Sequence, residues 1–318
     1  MRIFRGLPAE ADVPVALTIG NFDGVHRGHQ AMLARLVEAA DDLALTPAVL
    51  TFDPPTREFF AGAKAPPRLA TLRTKIAQFS EHGVERVYIA RFDARLAGLS
   101  PEAFVADVMV RRLGVRWALV GEDFRFGKGR AGDIGTLRAH AATFSVEAMR
   151  IVSHGGERAS STVVRQALAA GDLARAAAML GRPYTIEGRV AHGAKLGRHL
   201  GFPTANLRLM RKPPVSGVFA VRVHGVAAAP LEGVASVGVR PTVESAGEPL
   251  LEVFIFDFDG AIYGRRIAVE FVHKLRDEER YPDLETLTRQ IEIDVRQARD
   301  YFAHHAANPV VALVAPGR

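Results

Sequence analysis

The hydrophobic pattern of this chain changes period once, near Arg182-Pro183, and that change constrains the fold more than any other feature. Before it, short apolar runs alternate with helical stripes. Val15 to Ile19 reads as a buried strand, and Leu33, Leu36, Val37 and Ala40 then fall at i, i+3, i+4 and i+7. Ala48 to Phe52, Arg86 to Phe92 and Trp117 to Gly121 read as further strands. A helix carrying Leu69, Leu72, Ile76 and Phe79 is expected to end at Gly83. Another starts at Ser100-Pro101, where the serine accepts from an open backbone amide and proline loses no helix bond, and stops at Gly114. Thr162 to Leu180 reads as two short helices broken at Gly171-Asp172. Strands alternating with helices imply a mostly parallel sheet, whose ligands sit at the carboxyl ends of the strands.

After Pro183, period-two alternation takes over. Phe219, Val221 and Val223 share one strand face against Arg222 and His224, and Ile267, Val269 and Phe271 repeat the pattern. Such strands between Gly and Pro turns predict an antiparallel barrel or sandwich. A closing helix follows Pro282-Asp283, with Leu284, Leu287, Ile291, Val295, Ala298 and Phe302 as its stripe. The expected organisation is an α/β domain over 1–182, a mostly antiparallel β-barrel domain with a final helix over 183–306, and a loose tail over 307–318.

With no cysteine among 318 residues, disulfides, thiolate metal sites and cysteine nucleophiles are excluded. That fits a cytoplasmic protein, as does an amino terminus without a long apolar stretch. No apolar run approaches the roughly 20 residues that span a bilayer, so no membrane association is expected. The net charge of +6 suits nucleic acid or small anionic substrates, but the basic residues are scattered and form no arm.

The loop GNFDGVHRGH, Gly20 to His29, follows a strand and precedes a helix. Glycines let backbone approach a phosphate, the helix start adds open amides and a positive field, and two histidines can donate to an anionic transition state. Metal chelation by the histidine pair is the other reading, and it lacks a third ligand at helical spacing. The loop resembles the HxGH signature of the nucleotidylyltransferase superfamily, and the longer string resembles the amino-terminal module of prokaryotic bifunctional FAD synthetases. TFDPPTREFF (Thr51 to Phe60), VGEDFRFG (Val120 to Gly127) and RASSTVVR (Arg158 to Arg165) are similar to later blocks of that family, in its order. Alone, Ser160, Ser161 and Thr162 would read as helix caps.

This resemblance implies a Rossmann-like domain that adenylylates FMN with ATP, releasing pyrophosphate. It gives His26 and His29 the role of stabilising the pentavalent state and leaving phosphates, and Asp123 that of a magnesium ligand. It puts Gly20, Phe22, Asp23, Gly24, Gly28, Arg158, Ser160, Ser161, Thr162 and Arg165 at the nucleotide. One departure stands out: where the family has Pro-His-Pro, this chain has Pro54-Pro55-Thr56, so no role of that histidine carries over.

In the second half, GRVAHGAKLGRHLGFPTAN (Gly188 to Asn206) spaces glycines beside Lys195 and Arg198 without any GxxxxGK[ST] run. A mobile phosphate flap and a plain barrel turn explain those glycines equally well. The string closely resembles the riboflavin kinase module, PTAN included. The resemblance puts Thr204 and Asn206 at magnesium and the ATP phosphates, with Gly193, Lys195, Gly197 and Gly201 around the nucleotide. ASVGVRPT (Ala235 to Thr242), the strand around Glu252 and HKLRDEER (His273 to Arg280) resemble further blocks. They imply Glu252 as base for the riboflavin 5′-hydroxyl and Arg276 as a flavin contact. Phe254 and Ala261 depart from positions that are often histidine and acidic in the family. FDFDG (Phe256 to Gly260) faintly suggests a phosphatase aspartate motif, but it lacks the following threonine and lies among antiparallel-looking strands.

The expected protein is thus a bifunctional enzyme with ATP, riboflavin and FMN as substrates, Mg²⁺ as cofactor and no nucleic-acid partner; the sequence leaves its oligomeric state open. The alternatives are a riboflavin kinase with an impaired adenylylation half, a basic nucleic-acid-binding protein, or another HxGH adenylyltransferase carrying an unrelated second module.

Overall fold

The computed structural model describes residues 1–140, 142–193, 197, 200–239 and 249–305. The chain divides into two compact units, Met1–Val164 with Ala178–Gly181, and Arg165–Ala177 with the residues from Arg182 onward.

The first unit is built on six parallel strands in the order β1-β4-β3-β2-β5-β6. They are β1 (Arg2–Arg5), β2 (Val15–Ile19), β3 (Thr46–Asp53), β4 (Arg86–Arg91), β5 (Val115–Gly121) and β6 (Ser145–Met149). Every residue of β2 is buried, as a strand covered by helices on both faces requires. One face packs Leu17, Leu50 and Tyr88 against Phe104, Val105, Val108 and Met109. The other packs Ala16, Val49 and Val87 against Leu33, Leu36 and Phe79. From β2 the chain builds β3 and β4 on one side, then β5 and β6 on the other. The strand order therefore reverses between β2 and β5, where an open α/β sheet leaves a crevice at its carboxyl edge.

Helix α1 spans Arg27–Asp42, α2 Thr56–Ala61 and α3 Leu72–Glu81. Leu69, expected on the α3 stripe, is buried but precedes the helix, because the Thr71 hydroxyl accepts from the Thr74 amide and caps it there. The helix expected from Ser100 starts as predicted, the Ser100 hydroxyl accepting from the Ala103 amide. From Phe104 to Arg112 it is wound as a π-helix, and the Leu113 amide bonds the Val108 carbonyl. That wider winding turns Phe104, Val108, Met109 and Leu113 together onto the sheet. Strands β1 and β6 and helix α2 had no sequence signal strong enough to be read. A two-stranded pair, β7 (Ser153–His154) and β8 (Glu157–Arg158), precedes helices Ser161–Ala170 and Leu173–Leu180, which break at Gly171 (φ 76°).

The second unit is a closed antiparallel barrel in the order β10-β13-β12-β11-β14-β9. Its strands are β9 (Thr185–Ala191), β10 (Thr204–Arg208), β11 (Gly217–His224), β12 (Leu231–Val239), β13 (Pro249–Ile255) and β14 (Arg266–Arg276). The alternating residues named above, Phe219, Val221, Val223, Ile267, Val269 and Phe271, are all buried. Closure removes the sheet edges that would otherwise template aggregation. The final helix, Leu284–His305, covers the outer face of the barrel, with Ala298 and Phe302 against Val218, Ala220 and Val234. Lys195, Arg198, Arg240 to Thr242 and the 307–318 tail lie outside the described residues.

Candidate functional site

Strand β2 delivers the first candidate site. After Ile19 the chain makes a tight loop in which Phe22 (φ 48°) and Val25 (φ 40°) adopt the left-handed backbone that such residues rarely take. Three anchors hold that conformation. The Asp23 carboxylate accepts from the amides of Leu69 (3.0 Å) and Ala70 (3.2 Å). The Asn21 side chain donates to the Thr56 hydroxyl (2.9 Å) and accepts from the Thr56 amide (3.0 Å). Gln30 donates to the Val25 carbonyl (2.9 Å). Gly24 is required there, since a Cβ would meet Leu69 Cδ1 at 2.9 Å.

The loop ends with His26 as the residue before α1, and the His26 and His29 rings stack 3.7 Å apart at 23°. Phe22 supports His29 from below, its ring centroid 5.0 Å away. His29 Nδ1 is buried without a hydrogen-bond partner among the described residues. Burial, then the charges of His26 and Lys75, hold the His29 imidazole well below its usual proton affinity, so at neutral pH it is uncharged.

A cleft of about 230 Å³ opens in front of these rings. It lies at the strand-order reversal, for its walls follow the ends of β2 (Gly20), β5 (Gly121 to Phe124) and β6 (Arg150 to Val152). It brings together eight of the predicted residues: Gly20, Phe22, His26, Gly28, His29, Asp123, Arg158 and Ser160. Asp23, Gly24, Ser161, Thr162 and Arg165 are not in its lining. Asp23 and Gly24 shape the loop instead, and the Ser161 hydroxyl donates to the Asp23 carbonyl (2.8 Å). Arg158 donates to the Asp123 carboxylate (2.6 Å), and that bond holds the Asp123 carboxyl below the usual range. The carboxylate faces the open cleft, a donor type that suits magnesium alongside phosphate oxygens. Among the described residues no three His, Asp or Glu side chains form a metal cluster.

In the second unit, strand pairing assembles the site. Asn206 on β10 pairs with Glu252 on β13, Thr204 with Phe254, and Ser236 on β12 flanks Glu252 from the other side. Along β13, Leu251, Val253 and Ile255 point into the barrel, which turns Glu252 and Phe254 outward. A cleft of about 460 Å³ opens over that outer face. Its lining includes Gly197, Thr204, Glu252 and Arg276, with Phe202, Phe254, Tyr281 and Leu287 as apolar walls. Thr204 also lines a separate cleft of about 170 Å³, bounded by Pro203, Phe258 and Tyr263. Asn206 Oδ1 is buried without a partner among the described residues, an oxygen of the kind a hard cation takes. Gly193 must be glycine, since a Cβ would sit 2.5 Å from the Asn206 amide. Gly201 takes a left-handed turn at φ 87°.

Arg276 reaches the cleft with its guanidinium already fixed. It donates twice to the buried Asp294 carboxylate (2.8 and 2.7 Å) and once to the Asp277 carbonyl (2.9 Å). Gln290 donates to the same carboxylate (2.9 Å). Desolvation raises the Glu278 carboxyl above its usual range beside it. Sequence reasoning missed Asp294 and Lys75. Each had a signal, a charged residue on an otherwise apolar helical stripe: Asp294 with Leu287, Ile291 and Ala298, and Lys75 with Leu72, Ile76 and Phe79.

Comparison with known proteins follows the same division. A family model described as FAD synthetase matches residues 9–163, and one described as riboflavin kinase matches 180–302. The chain is 45% identical to the bifunctional riboflavin kinase/FMN adenylyltransferase of Escherichia coli K12, over 95% of this chain and 98% of that one. It is 49% identical to that of Pseudomonas fluorescens, over 91% and 93%. A solved structure from Streptococcus pneumoniae, described as a macrolide-efflux protein, aligns with a TM-score of 0.79 at 26% identity, covering 94% of this chain and 99% of that one. Among the described residues of this chain no helix is long and apolar enough to cross a membrane.

Proposed function

The chain belongs to the bifunctional riboflavin kinase/FMN adenylyltransferase family, and we propose how its residues divide the two reactions. The protein phosphorylates riboflavin to FMN and adenylylates FMN to FAD, each with ATP. We assign the adenylyltransferase to residues 1–182 and the kinase to 183–306.

In the first cleft, the FMN phosphate attacks the α-phosphorus of ATP and pyrophosphate leaves. Catalysis of such a transfer is mostly positioning and charge stabilisation. His26 and His29 supply ring N–H donors to the oxygens of the pentavalent phosphorus and of the leaving phosphates. The uncharged state of His29 matters, because two stacked imidazolium ions would repel. Gly20 and Gly28 keep the backbone low enough for phosphates to approach. Ser160 and Arg158 hold the nucleotide, while Ser161, Thr162 and Arg165 act from the helix that follows. Asp123 would hold Mg²⁺, which when bound neutralises phosphate charge; Arg158 keeps that carboxylate ionised. Pro55 stands where the family has histidine, and the neighbouring Thr56, anchored by Asn21, or a water would take over that side chain's part. From the same helix, Phe59 and the largely exposed Phe60 pack edge-on with Phe92, an aromatic surface suited to a flavin ring.

In the second cleft, Glu252 takes the proton of the riboflavin 5′-hydroxyl as it attacks the γ-phosphorus. Thr204 and Asn206 would hold Mg²⁺ and phosphate, and Gly193, Lys195, Gly197 and Gly201 wrap the triphosphate. Arg276, held by Asp294, faces the flavin between Phe254 and Tyr281.

The observation that carries this assignment is the grouping of Thr204, Asn206 and Glu252 across one strand pair, separate from the stacked His26 and His29. Pure protein incubated with riboflavin, ATP and magnesium should yield FMN and then FAD. His29→Ala should lower FAD formation about 10²- to 10³-fold, the loss typical of one donor to a transition-state charge, with FMN formation intact. Glu252→Gln should lower FMN formation about 10²- to 10⁴-fold, the range of a general base, while supplied FMN still becomes FAD. If either substitution stopped both reactions in a folded protein, the two-site assignment would fail.

A further inference from the structure

Lys75 is a buried cation for which the roles assigned above have no use. Only 4% of it is exposed, on the inner side of α3 behind the Gly20 to His29 loop. Its ammonium makes one hydrogen bond among the described residues, to the Asn21 carbonyl at 2.9 Å, and no ion pair. An ammonium has three donors, so two are left without a protein acceptor. Burying a charge so poorly compensated is unfavourable to folding, and a methionine or leucine would fill an apolar stripe better. Burial lowers its proton affinity to about 8, with Asp23 and Asp53 acting in the opposite sense, so it stays largely charged at neutral pH.

The position of the ammonium suggests what it is kept for. Asn21 opens the strained loop, and its side chain fixes Thr56 while its carbonyl meets Lys75. One residue later Phe22 takes its left-handed turn beneath His29. The lysine charge also opposes protonation of His29. We propose that Lys75 is a positioning residue for adenylyl transfer: its ammonium anchors the Asn21 carbonyl and so keeps the loop that carries the stacked His26 and His29 rings in place. A buried positive charge beside a site for polyanions also acts over a longer range than a surface lysine, because little water screens it. The proposal rests on the reading of His26 and His29 as the phosphate-facing pair.

The test uses the full chain, with FAD formation measured from FMN, ATP and magnesium and riboflavin phosphorylation measured on the same sample. Lys75→Met should lower kcat for FAD formation at least about tenfold. KM for ATP and for FMN should stay within about threefold, since Lys75 lines no part of the cleft. Lys75→Arg, which keeps the charge, should recover most of the lost kcat, and FMN formation should be unchanged in both. A purely structural lysine predicts another pattern: reduced thermal stability, read from the emission of Trp117, with kcat normal wherever the unit is folded. Lys75→Gln, uncharged and one bond shorter, replaces Lys75→Met if the latter fails to fold, with the same loss expected. A kcat within twofold of the parent in a folded, uncharged variant overturns the proposal. His29→Ala run alongside separates the two ideas. FAD formation that survives His29→Ala defeats the underlying site reading, whereas FAD formation lost there but kept in Lys75→Met defeats the role of Lys75 alone.

Discussion

The buried, uncharged state of His29 makes the first unit sensitive to acid, and the size of that effect follows from its surroundings. In the unfolded chain His29 titrates near 6.5, whereas in the folded unit burial and the charges of His26 and Lys75 push its proton affinity well below that. Between those two values the unfolded chain binds more protons than the folded one, so stability rises with pH and is lost as pH falls below about 6.5. At pH 7.5 the contribution is near zero. At pH 5.5 about ten unfolded chains in eleven carry the proton at this position, and the penalty reaches at most about 1.4 kcal/mol. His29→Gln removes the titrating group and should remove that share of the pH dependence. Trp117, the one tryptophan of the chain, makes the assay selective: it is buried in β5, so urea unfolding followed by its emission reports the first unit alone. The parent should lose up to about 1.4 kcal/mol more than His29→Gln between pH 7.5 and 5.5, with the midpoint shift scaled by the m-value. Equal losses in the two proteins would refute the claim that His29 is held neutral.

Two further substitutions test the second unit. Asp294→Ala strands the Arg276 guanidinium at a half-buried site; it should destabilise the unit by about 3–5 kcal/mol in thermal unfolding and raise the riboflavin KM. Gly193→Ala forces a Cβ to within 2.5 Å of the Asn206 amide; initial-rate assays should show riboflavin phosphorylation falling about 10- to 100-fold with FAD formation from FMN unaffected.

Much of the fold was legible because most strands keep a strict period. The short run of β2, four apolar residues and Thr18, reads as a strand buried on both faces, and the alternation of Phe219, Val221 and Val223 reads as one face of a half-buried strand. Elements held by distant partners were not legible. Strand β1 pairs with β4, some eighty residues away in sequence, and its own four residues RIFR carry no period. The start of α3 was misplaced because the Thr71 cap is a hydrogen bond, invisible to a count of apolar positions. For the sites, motif order named the loops and the catalytic candidates, but not what holds them. Asp23 and Gly24 sit in the motif and yet shape the loop rather than line the cleft. Asp294 and Lys75 lie outside every motif, yet Asp294 holds the predicted Arg276 and Lys75 bonds the Asn21 carbonyl inside the loop that carries His26 and His29.

Those last two residues share a physical logic that the two units reach separately. In each, a helix packed by an apolar stripe carries one buried charge where a hydrophobic side chain would pack as well. In the first unit the charge meets a backbone carbonyl at the start of a strained loop. In the second it meets the guanidinium of a cleft residue at 2.7 Å. Lys75 lines no part of the first cleft, and Asp294 lines the second with its carboxylate oxygens taken up by Arg276; both fix a group that lines or builds the site. A transfer between phosphates requires donors held in place before the charge develops, because reorganising them during the reaction would raise the barrier. Rigid placement is therefore worth some stability, and a charged residue on an apolar stripe marks where that exchange has been made. The distinction is measurable in both units: uncharged replacements of Lys75 should raise stability while lowering kcat, whereas Asp294→Ala should lower stability, because there the partner left behind is itself charged.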